Sequence, residues 1–418
     1  MKQKSLLGNP WWIVFGSFLG LIVGNITIYQ FSFSVLIKPI TTEFGWSRGM
    51  ASSAILVAAL FAAIGTPIVG WLIDRHGIKR ITLGAIVLFG LATMSMSVVS
   101  SSYALFIALF AVLGLFSAGQ APLPYAKAIS ATFDAKRGLA LGIAMTGVGI
   151  GAALMPRIAQ ELNQSIGWRG AFIGLGLTVM VIALPAVAIF LREPVRSGKS
   201  GALALPGLTA SEALKSKVFW ILAGAFISIP IVANGVIVHL IPLLTDRGVP
   251  TATAVNVFAS IGASLIIGRL LSGYLLDKFF GPNVAIAFVV MPAIGLVLLA
   301  TTSDERLSLL GAVLVGLGLG AEVDLIGYLQ SRYLGLRSFG QVYGYLFAIF
   351  TVGGGVGPFV MGMVFDRTGS YRPALIGFFC LLCVVVILLT RLGKAYPFPV
   401  EEKPDDTPRA PILGGSRV

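Results

Sequence analysis

Charged residues are scarce in this sequence. They make up 11% of its 418 residues, against about 25% in a typical soluble domain. Hydrophobic residues make up 56%, and the mean hydropathy is +0.93. Apolar surface on this scale would stay exposed in water and drive aggregation, which excludes an ordinary water-soluble protein. The composition therefore predicts a chain that has the lipid bilayer as its solvent.

Cysteine and histidine are also rare, with two of each in the chain. Cys380 and Cys383 have a C-x-x-C spacing, but a metal site needs about four ligands, and no histidine or second cysteine pair lies near them. We therefore predict no metal site and no cofactor. No Ser-His-Asp set, HExxH motif or nucleotide-binding loop occurs, which argues against an enzyme and against ATP as a driving force.

Apolar runs long enough to cross a bilayer, at about 20 residues each, occur twelve times. They predict an all-α membrane protein with 12 transmembrane helices. The runs lie near 11–37, 50–73, 80–99, 104–130, 138–162, 171–191, 218–244, 252–276, 284–302, 307–331, 339–364 and 373–391.

Lys and Arg are unevenly distributed between the loops on the two sides of these helices. Twenty lie on the side of the two chain ends and seven on the opposite side. Short cytoplasmic loops carry the excess of basic residues, so we predict that both termini are cytoplasmic and that the chain lies in the cell (inner) membrane. The net charge of +13 comes from these loops. It forms no basic stripe or base-stacking module, so nucleic acid is not an expected partner.

A polar stretch divides the twelve runs into two sets of six. We predict an N-terminal bundle at 1–191, a cytoplasmic linker at 192–217, a C-terminal bundle at 218–393 and a disordered cytoplasmic tail at 394–418. The end of the linker, 210–217, has an amphipathic pattern that favours the membrane surface. The bundles are expected to be pseudo-symmetric, because Gly70-Trp71-Leu72-Ile73-Asp74 is echoed by Gly273-Tyr274-Leu275-Leu276-Asp277 at an offset of 203 residues.

The few polar residues inside the runs are the candidates for function, because charge in a bilayer is costly. Arg269, in the eighth run, carries a permanent charge and a planar fork suited to a carboxylate. An anion-binding role and a structural ion pair both fit it. Glu322 and Asp324, in the tenth run, point about 200° apart on a helix, so one can pair with Arg269 while the other faces elsewhere.

Proton coupling is the role that we predict for one of these two acids, because a carboxyl held away from water can take up a proton near neutral pH. A static salt bridge is the alternative. His239 is a further relay candidate, with a water-exposed imidazole as the simpler interpretation. The substrate-binding candidates besides Arg269 are Arg157, Tyr125, Asn25, Gln30 and Asn234. For Arg157 an interfacial anchor, and for the amides interhelical hydrogen bonds, are the alternatives.

The segment Gly70-x-Leu72-x-Asp74-Arg75-x-Gly77-x-Lys79-Arg80 resembles the signature loop between helices two and three of the major facilitator superfamily. The resemblance implies two six-helix bundles with a substrate site between them near the midplane. It also implies a gating latch that involves Gly70, Asp74, Arg75, Gly77, Arg80 and, in the second half, Asp277. Asp74 would pair with basic residues or a helix N-terminus of the other bundle. The alternative is that these charges only set the orientation of the helices in the membrane.

Further segments resemble the monocarboxylate-transporter and oxalate–formate-antiporter branches in their prokaryotic form. They include Glu43-Phe44-Gly45-Trp46-Ser47-Arg48 and Ile267-Gly268-Arg269-Leu270-Leu271-Ser272-Gly273. The resemblance implies that Arg269 binds a substrate carboxylate. It departs from the animal branch at Leu265, where that branch has an acid, so any proton handling would move to Glu322 or Asp324.

The favoured hypothesis is a secondary active transporter of a small organic anion, such as a monocarboxylate, that is driven by protons and functions as a monomer. An exporter of amphipathic compounds and a carboxylate antiporter are the alternatives. A transporter-like receptor would need a cytoplasmic docking domain, and the 25-residue tail from Lys394 is short for that role.

Overall fold

The computed structural model describes residues 9–133, 136–192, 207–302, 304–393 and 397, without the side chains of residues 74, 131, 137 and 138. These residues form an all-helical structure. Its α-helices are α1 (Trp11–Ile22), α2 (Phe33–Phe44), α3 (Arg48–His76), α4 (Ile78–Ser95), α5 (Tyr103–Ser117), α6 (Pro122–Thr132), α7 (Arg137–Phe190), α8 (Ala210–Lys215), α9 (Lys217–Thr245), α10 (Thr251–Lys278), α11 (Gly281–Thr301), α12 (Glu305–Tyr333), α13 (Phe339–Thr368) and α14 (Arg372–Thr390).

Eleven helical segments of the described chain are long and apolar enough to cross a membrane. One of them, Leu139–Phe190, has 52 residues and would be about 78 Å long as one helix, against an apolar bilayer core of about 30 Å. Its backbone is broken at Gly167, where φ is 72° and ψ is 171°. The segment therefore crosses twice, and the predicted twelve crossings are confirmed.

The first crossing is not a regular α-helix. Between α1 and α2 lies a π-helical turn, Ile26–Phe31, and such turns are frequent at functional sites. The side chain of Asn25 accepts a hydrogen bond from Ile26 N at 2.8 Å. The Thr27 hydroxyl donates to the Ile22 carbonyl at 2.9 Å. These bonds satisfy backbone and side-chain groups where the α-helical pattern is interrupted, and the turn carries Gln30.

The crossings form two bundles, α1–α7 and α9–α14. Within the bundles, α1 packs on α7, α3 on α5, α9 on α13 and α10 on α12. Between the bundles, the main contacts are α3 with α13 and α7 with α10. We use "inner side" for the side on which α1 begins and α14 ends, and "outer side" for the side of Gly45, Gly167 and Gly369. The inner side is the one that the basic loops predict to be cytoplasmic.

The contact between α3 and α13 is tight on the outer half and absent on the inner half. A Cβ built on Gly355 would lie 2.7 Å from the Cβ of Ala59, so only glycine allows this approach. Towards the inner side, Cβ atoms built on Gly70 and Gly344 would have no atom of the described residues within 4 Å. The two helices therefore diverge towards the inner side.

The contact between α7 and α10 follows the same pattern. A Cβ on Gly149 would lie 2.7 Å from the carbonyl oxygen of Gly262. Cβ atoms on Gly142 and Gly273, nearer the inner side, would meet nothing within 4 Å in the described part of the chain. The bundles are thus closed on each other at the outer side. They leave a space at the inner side, which we call the inner opening.

The described part of the linker is attached to the C-terminal bundle. Thr209 caps α8 and forms a capping box with Glu212, and α8 lies in the segment predicted to be amphipathic. Leu208 N donates to the Leu334 carbonyl at 2.9 Å, beside a bridge between Gly207 and Gly335. Most of the predicted linker, 193–206, and of the predicted tail, 394–396 and 398–418, lies outside the described residues.

Candidate functional site

A partly buried ion pair lies between α10 and α12. The Nε of Arg269 is 3.5 Å from Oδ2 of Asp324 and donates to the Gly320 carbonyl at 3.4 Å. The Arg269 side chain is 14% exposed and that of Asp324 is 39% exposed. Both described contacts use Nε, so the two terminal nitrogens of the guanidinium have no hydrogen-bond partner among the described residues. That fork is the part of arginine that binds a carboxylate with two parallel hydrogen bonds.

Glycines set the position of this pair. A Cβ on Gly268 would lie 2.2 Å from the Leu317 carbonyl oxygen, and one on Gly320 would lie 2.3 Å from that of Leu265. Neither position has room for a side chain, so α10 and α12 touch backbone to backbone next to Arg269. The charged group is therefore mounted on two rigid helices rather than on a loop.

Glu322 lies on a different face of α12 from Asp324, as the helical spacing predicts. Its side chain is 2% exposed, and neither carboxyl oxygen has a hydrogen-bond partner in the described part of the chain. Glu322 follows Gly318 by about one turn, and Gly318 packs against Pro292 of α11. Of the two acids, Asp324 is thus the partner of Arg269, and Glu322 is buried without one.

Gln30 and Asn234 join the two bundles above the ion pair, at the outer end of the inner opening. Gln30 Nε2 donates to Asn234 Oδ1 at 2.7 Å and lies 3.5 Å from the Gly354 carbonyl oxygen. Asn234 Nδ2 donates to the Pro230 carbonyl at 3.1 Å. The structure therefore brings these two candidates together as an interbundle hydrogen bond.

Asn25 and Tyr125 lie inside the N-terminal bundle. Asn25 is 9% exposed and its side chain caps the π-helical turn. Tyr125 is fully buried, and its hydroxyl donates to Gln120 Oε1 at 2.7 Å. Gln120 in turn donates to the Gly20 carbonyl at 3.1 Å. The hydrogen bonds that the structure gives for these two predicted ligands lie within their own bundle.

Arg157 lies on the outer half of α7, away from the inner opening. It is exposed, and its Nη2 donates to Asn256 Oδ1 of α10 at 2.9 Å. The structure does not bring it together with Arg269. Its contact joins the two bundles on the side where they are closed.

The expectation of a water-exposed imidazole at His239 is wrong. The side chain is 0% exposed, because it is enclosed between α3, α13 and the turn before α14. Its Nε2 lies 3.0 Å from Ser52 Oγ and from the Pro358 carbonyl oxygen, and its Nδ1 lies 3.0 Å from Tyr371 Oη. The prediction assumed that a residue near the outer end of α9 is in contact with water. In this structure the outer side is where the bundles close, so His239 is buried there.

A charged cluster that the sequence did not predict closes the outer side. Asp246, after α9, accepts from Lys38 Nζ at 2.6 Å and from Arg48 Nη2 at 3.0 Å. Lys38 and Arg48 belong to the N-terminal bundle. The burial of Asp246 alone would raise its pKa, but the hydrogen bonds and charges of Arg48 and Lys38 outweigh it and lower the pKa below the ordinary range.

Asp366, near the outer end of α13, caps the beginning of α3. Its two carboxylate oxygens accept from Arg48 N at 2.9 Å and from Gly49 N at 2.7 Å. A carboxylate is stabilised at a helix N-terminus by the unpaired N–H groups and the helix dipole. We call Lys38, Arg48, Asp246 and Asp366 the outer gate.

The sequence contained a signal for this cap. Asp366-Arg367-Thr368-Gly369 has the same Asp-Arg-x-Gly pattern as Asp74-Arg75-His76-Gly77 at the inner end of α3. The copy that begins at Asp366 belongs to the C-terminal bundle and lies at the outer side. The copy that begins at Asp74 belongs to the N-terminal bundle and lies at the inner side.

The predicted inner latch is not closed by the residues that are described. Arg75 lies over the ring of Trp71 at 5.4 Å, and Gly77 ends α3 with a φ of 94°. Arg75, Arg80 and Asp277 are exposed and form no ion pair with the other bundle within the described ranges. Gly70 faces the inner opening, and the side chain of Asp74 lies outside the description.

The chain forms two helical bundles that meet at the outer side and leave an opening at the inner side, with polar residues in and between them. Residues 11–358 match the Major Facilitator Superfamily, and the chain belongs to this family. The protein is therefore a multi-pass membrane transporter and not an enzyme.

Related proteins include an MFS-type transporter, YcxA of Bacillus subtilis, which is 24% identical over 95% of this chain and 97% of its own length. Monocarboxylate transporter 12 of Homo sapiens is 26% identical over 93% of this chain and 81% of its own. Among solved structures, a bacterial homolog of the human lysosomal transporter Spinster, in an inward-facing and unoccupied conformation, matches with a TM-score of 0.66 at 18% identity. The match covers 91% of this chain and 95% of the other. This last likeness concerns the fold.

Proposed function

We propose that this protein is a secondary active transporter of small organic anions, carboxylates in particular, and that it couples their movement to protons. The observation that carries the proposal is Arg269, a permanent cation inside the C-terminal bundle whose terminal nitrogens have no partner among the described residues. A carboxylate can accept two hydrogen bonds from that fork. The similarity to a human monocarboxylate transporter supports the same substrate class.

Asp324 has a supporting role in this proposal. It offsets the charge of Arg269 when no substrate is bound, yet it contacts only Nε, at 3.5 Å. The substrate can therefore bind without first displacing the acid, and Asp324 keeps the guanidinium in place. Gln30 and Asn234 close the outer end of the same space and would separate when the outer side opens.

Glu322 is the group that we assign to proton coupling. An ionised carboxylate that is buried without a hydrogen bond is energetically costly, and a bound proton removes that cost. Glu322 lies less than one helical turn from Asp324 along α12. The charge of Glu322 therefore affects the electrostatic field at Arg269. Loading and unloading of the proton would then be linked to occupancy of the anion site.

Flux measurements in proteoliposomes test the proposal directly. We expect labelled lactate, pyruvate or benzoate to enter more rapidly when the medium is acidic relative to the lumen than when the two pH values are equal. Exchange of labelled for unlabelled acid without any gradient dependence would identify an antiporter instead. Movement of cationic amphipathic compounds with no movement of any acid would contradict the proposal.

Replacing Glu322 with glutamine should separate substrate movement from the proton gradient. Glutamine has the shape of protonated glutamate but cannot release a proton, so we expect stimulation by the pH gradient to be abolished while exchange at equal pH persists. The measurement is uptake and exchange in the same vesicles. Asp324→Asn serves as the comparison, because it should impair both activities through Arg269. Full gradient stimulation in Glu322→Gln would remove this residue from the coupling step.

A further inference from the structure

Four aromatic rings are stacked along the inner half of α13. The ring centroids of Phe339 and Tyr343 are 5.8 Å apart, those of Tyr343 and Phe347 are 5.8 Å apart, and those of Phe347 and Phe350 are 5.7 Å apart. The interplanar angles are 13–22°. The series, which we call the aromatic ladder, extends about 16 Å along the helix axis.

The aromatic ladder faces the space between the bundles. At 100° per residue, its four members lie within about 60° of Gly354 on the helix circumference. The Gly354 carbonyl is the one that Gln30 of the opposite bundle approaches. Gly353, on one flank, packs on Ile227 of α9, and Gly355, on the other flank, packs on α3. The rings of the ladder therefore project between the surface that packs on α9 and the surface that packs on α3, towards the inner opening.

The ladder passes directly beside the ion pair. The Tyr343 ring lies 3.8 Å from a Cβ built on Gly327 of α12, and Gly327 shares a helix face with Asp324, three residues earlier. Tyr343 is also near enough to interact electrostatically with both Asp324 and Arg269. A molecule held at the Arg269 fork would thus have aromatic rings alongside it.

Space for such a molecule exists at the ladder. All four rings are only partly buried. Cβ atoms built on Gly340 and Gly344, on the same stretch of helix, would have no atom of the described residues within 4 Å. Partly exposed rings leave apolar surface, which a ligand can cover.

We propose that the transported anion carries an aromatic or other flat apolar body, which lies against the ladder while its carboxylate binds Arg269. The inference rests on the proposed anion function and narrows it to a substrate class. Stacking on aromatic rings favours flat unsaturated groups. A two- or three-carbon acid would occupy the fork but leave the rings uncovered.

The test compares two acids with the same head group, phenylpyruvate and pyruvate. We expect phenylpyruvate to bind purified protein about tenfold or more tightly than pyruvate. Burial of the phenyl group removes apolar surface from water, and the free energy gained is of the order that a tenfold change in affinity requires. Tyr343→Leu and Phe347→Leu should each reduce this ratio. Tyr343→Phe, which retains the ring, should keep it.

Tyr345→Leu is the matched control, because Tyr345 lies on the same helix, is 44% exposed and points about 180° away from Gly354. The ratio of phenylpyruvate affinity to pyruvate affinity in Tyr345→Leu should equal that in the unmodified protein. Equal affinity for the two acids in the unmodified protein, with both dependent on Arg269, would overturn the substrate class and leave the anion function standing. Binding of neither acid would overturn the anion function and the substrate class together.

Discussion

Replacement of Arg269 with glutamine should abolish carboxylate binding and uptake. Hydrogen bonds to charged groups contribute about 1.5–3 kcal/mol each, so loss of the two-pronged contact should weaken binding about 100-fold or more. Arg269→Lys keeps the charge but not the planar fork and should also bind weakly. The measurement is the thermal shift of the purified protein with increasing carboxylate, because a ligand stabilises the state that binds it.

Two further variants separate binding from folding. Arg269→Gln leaves Asp324 without its partner, so the double variant Arg269→Gln/Asp324→Asn should regain thermal stability without regaining binding. Arg157→Gln removes an equal charge from the outer half of α7, where the side chain contacts Asn256, and should leave carboxylate binding unchanged. Normal binding in the double variant would exclude Arg269 from the substrate site.

Replacement of Asp246 with asparagine should open the outer side. The change removes the carboxylate that Lys38 and Arg48 share across the two bundles, and charge-assisted contacts of about 1.5–3 kcal/mol are lost. We expect the population with an open outer side to rise about tenfold or more. Ser34→Cys is a suitable reporter, because Ser34 is 1% exposed and lines an outer cavity of about 430 Å³.

The reporter requires that Cys380 and Cys383, both exposed on α14, are first replaced with alanine. A hydrophilic maleimide added from the outer side should then label Ser34→Cys faster when Asp246→Asn is present. Asp304→Asn is the control: Asp304 is also an outer carboxyl, but it caps α12 within its own bundle, and asparagine caps equally well. Equal labelling rates with and without Asp246→Asn would show that the outer gate does not hold this side closed.

The outer gate should not respond to pH in the neutral range. In the closed state the pKa of Asp246 is below the ordinary value, which is about 3.9, and opening removes the cations that lower it. The stabilisation is therefore fully present above the ordinary pKa and is lost only as pH falls through the lowered one. Each labelling rate of Ser34→Cys rises with pH because the thiolate is the reactive species. The ratio of the rates with and without Asp246→Asn, compared at the same pH, should accordingly be constant between about pH 5 and 8.

The crossings could be predicted because the bilayer imposes one strong requirement on each of them. Apolar runs near 252–276 and 284–302 correspond closely to α10 and α11, Thr251–Lys278 and Gly281–Thr301. The break at Gly167 was also visible, since two apolar runs were separated there. The π-helical turn was not, because hydropathy does not distinguish it from α-helix.

The site was only partly predictable, for a different reason. Arg269 and Asp324 were recognisable because charge within an apolar run is rare, and their spacing on neighbouring helices allowed a pair. The contacts of Arg48 and His239 depend on residues far away in sequence, with Arg48 and Asp366 separated by 318 positions. Which bundle ends meet is set by the packing of the two bundles, and neither hydropathy nor residue spacing shows it. Tyr125 was predicted as a substrate contact for a different reason. Its partner Gln120 is only five residues away, but the turn at Ala118–Gln120 that brings the two side chains together is not visible in the polarity of the sequence.

The Asp366 cap has a consequence for the energetics of the cycle. Its Asp-Arg-x-Gly pattern occurs once per bundle, at opposite faces, and each copy ends a helix that runs beside the other. Opening of the outer side would leave the first N–H groups of α3 without this carboxylate, so the cap contributes to the free energy that favours the closed outer side. A driving force for transport has to offset that contribution before the outer side can open.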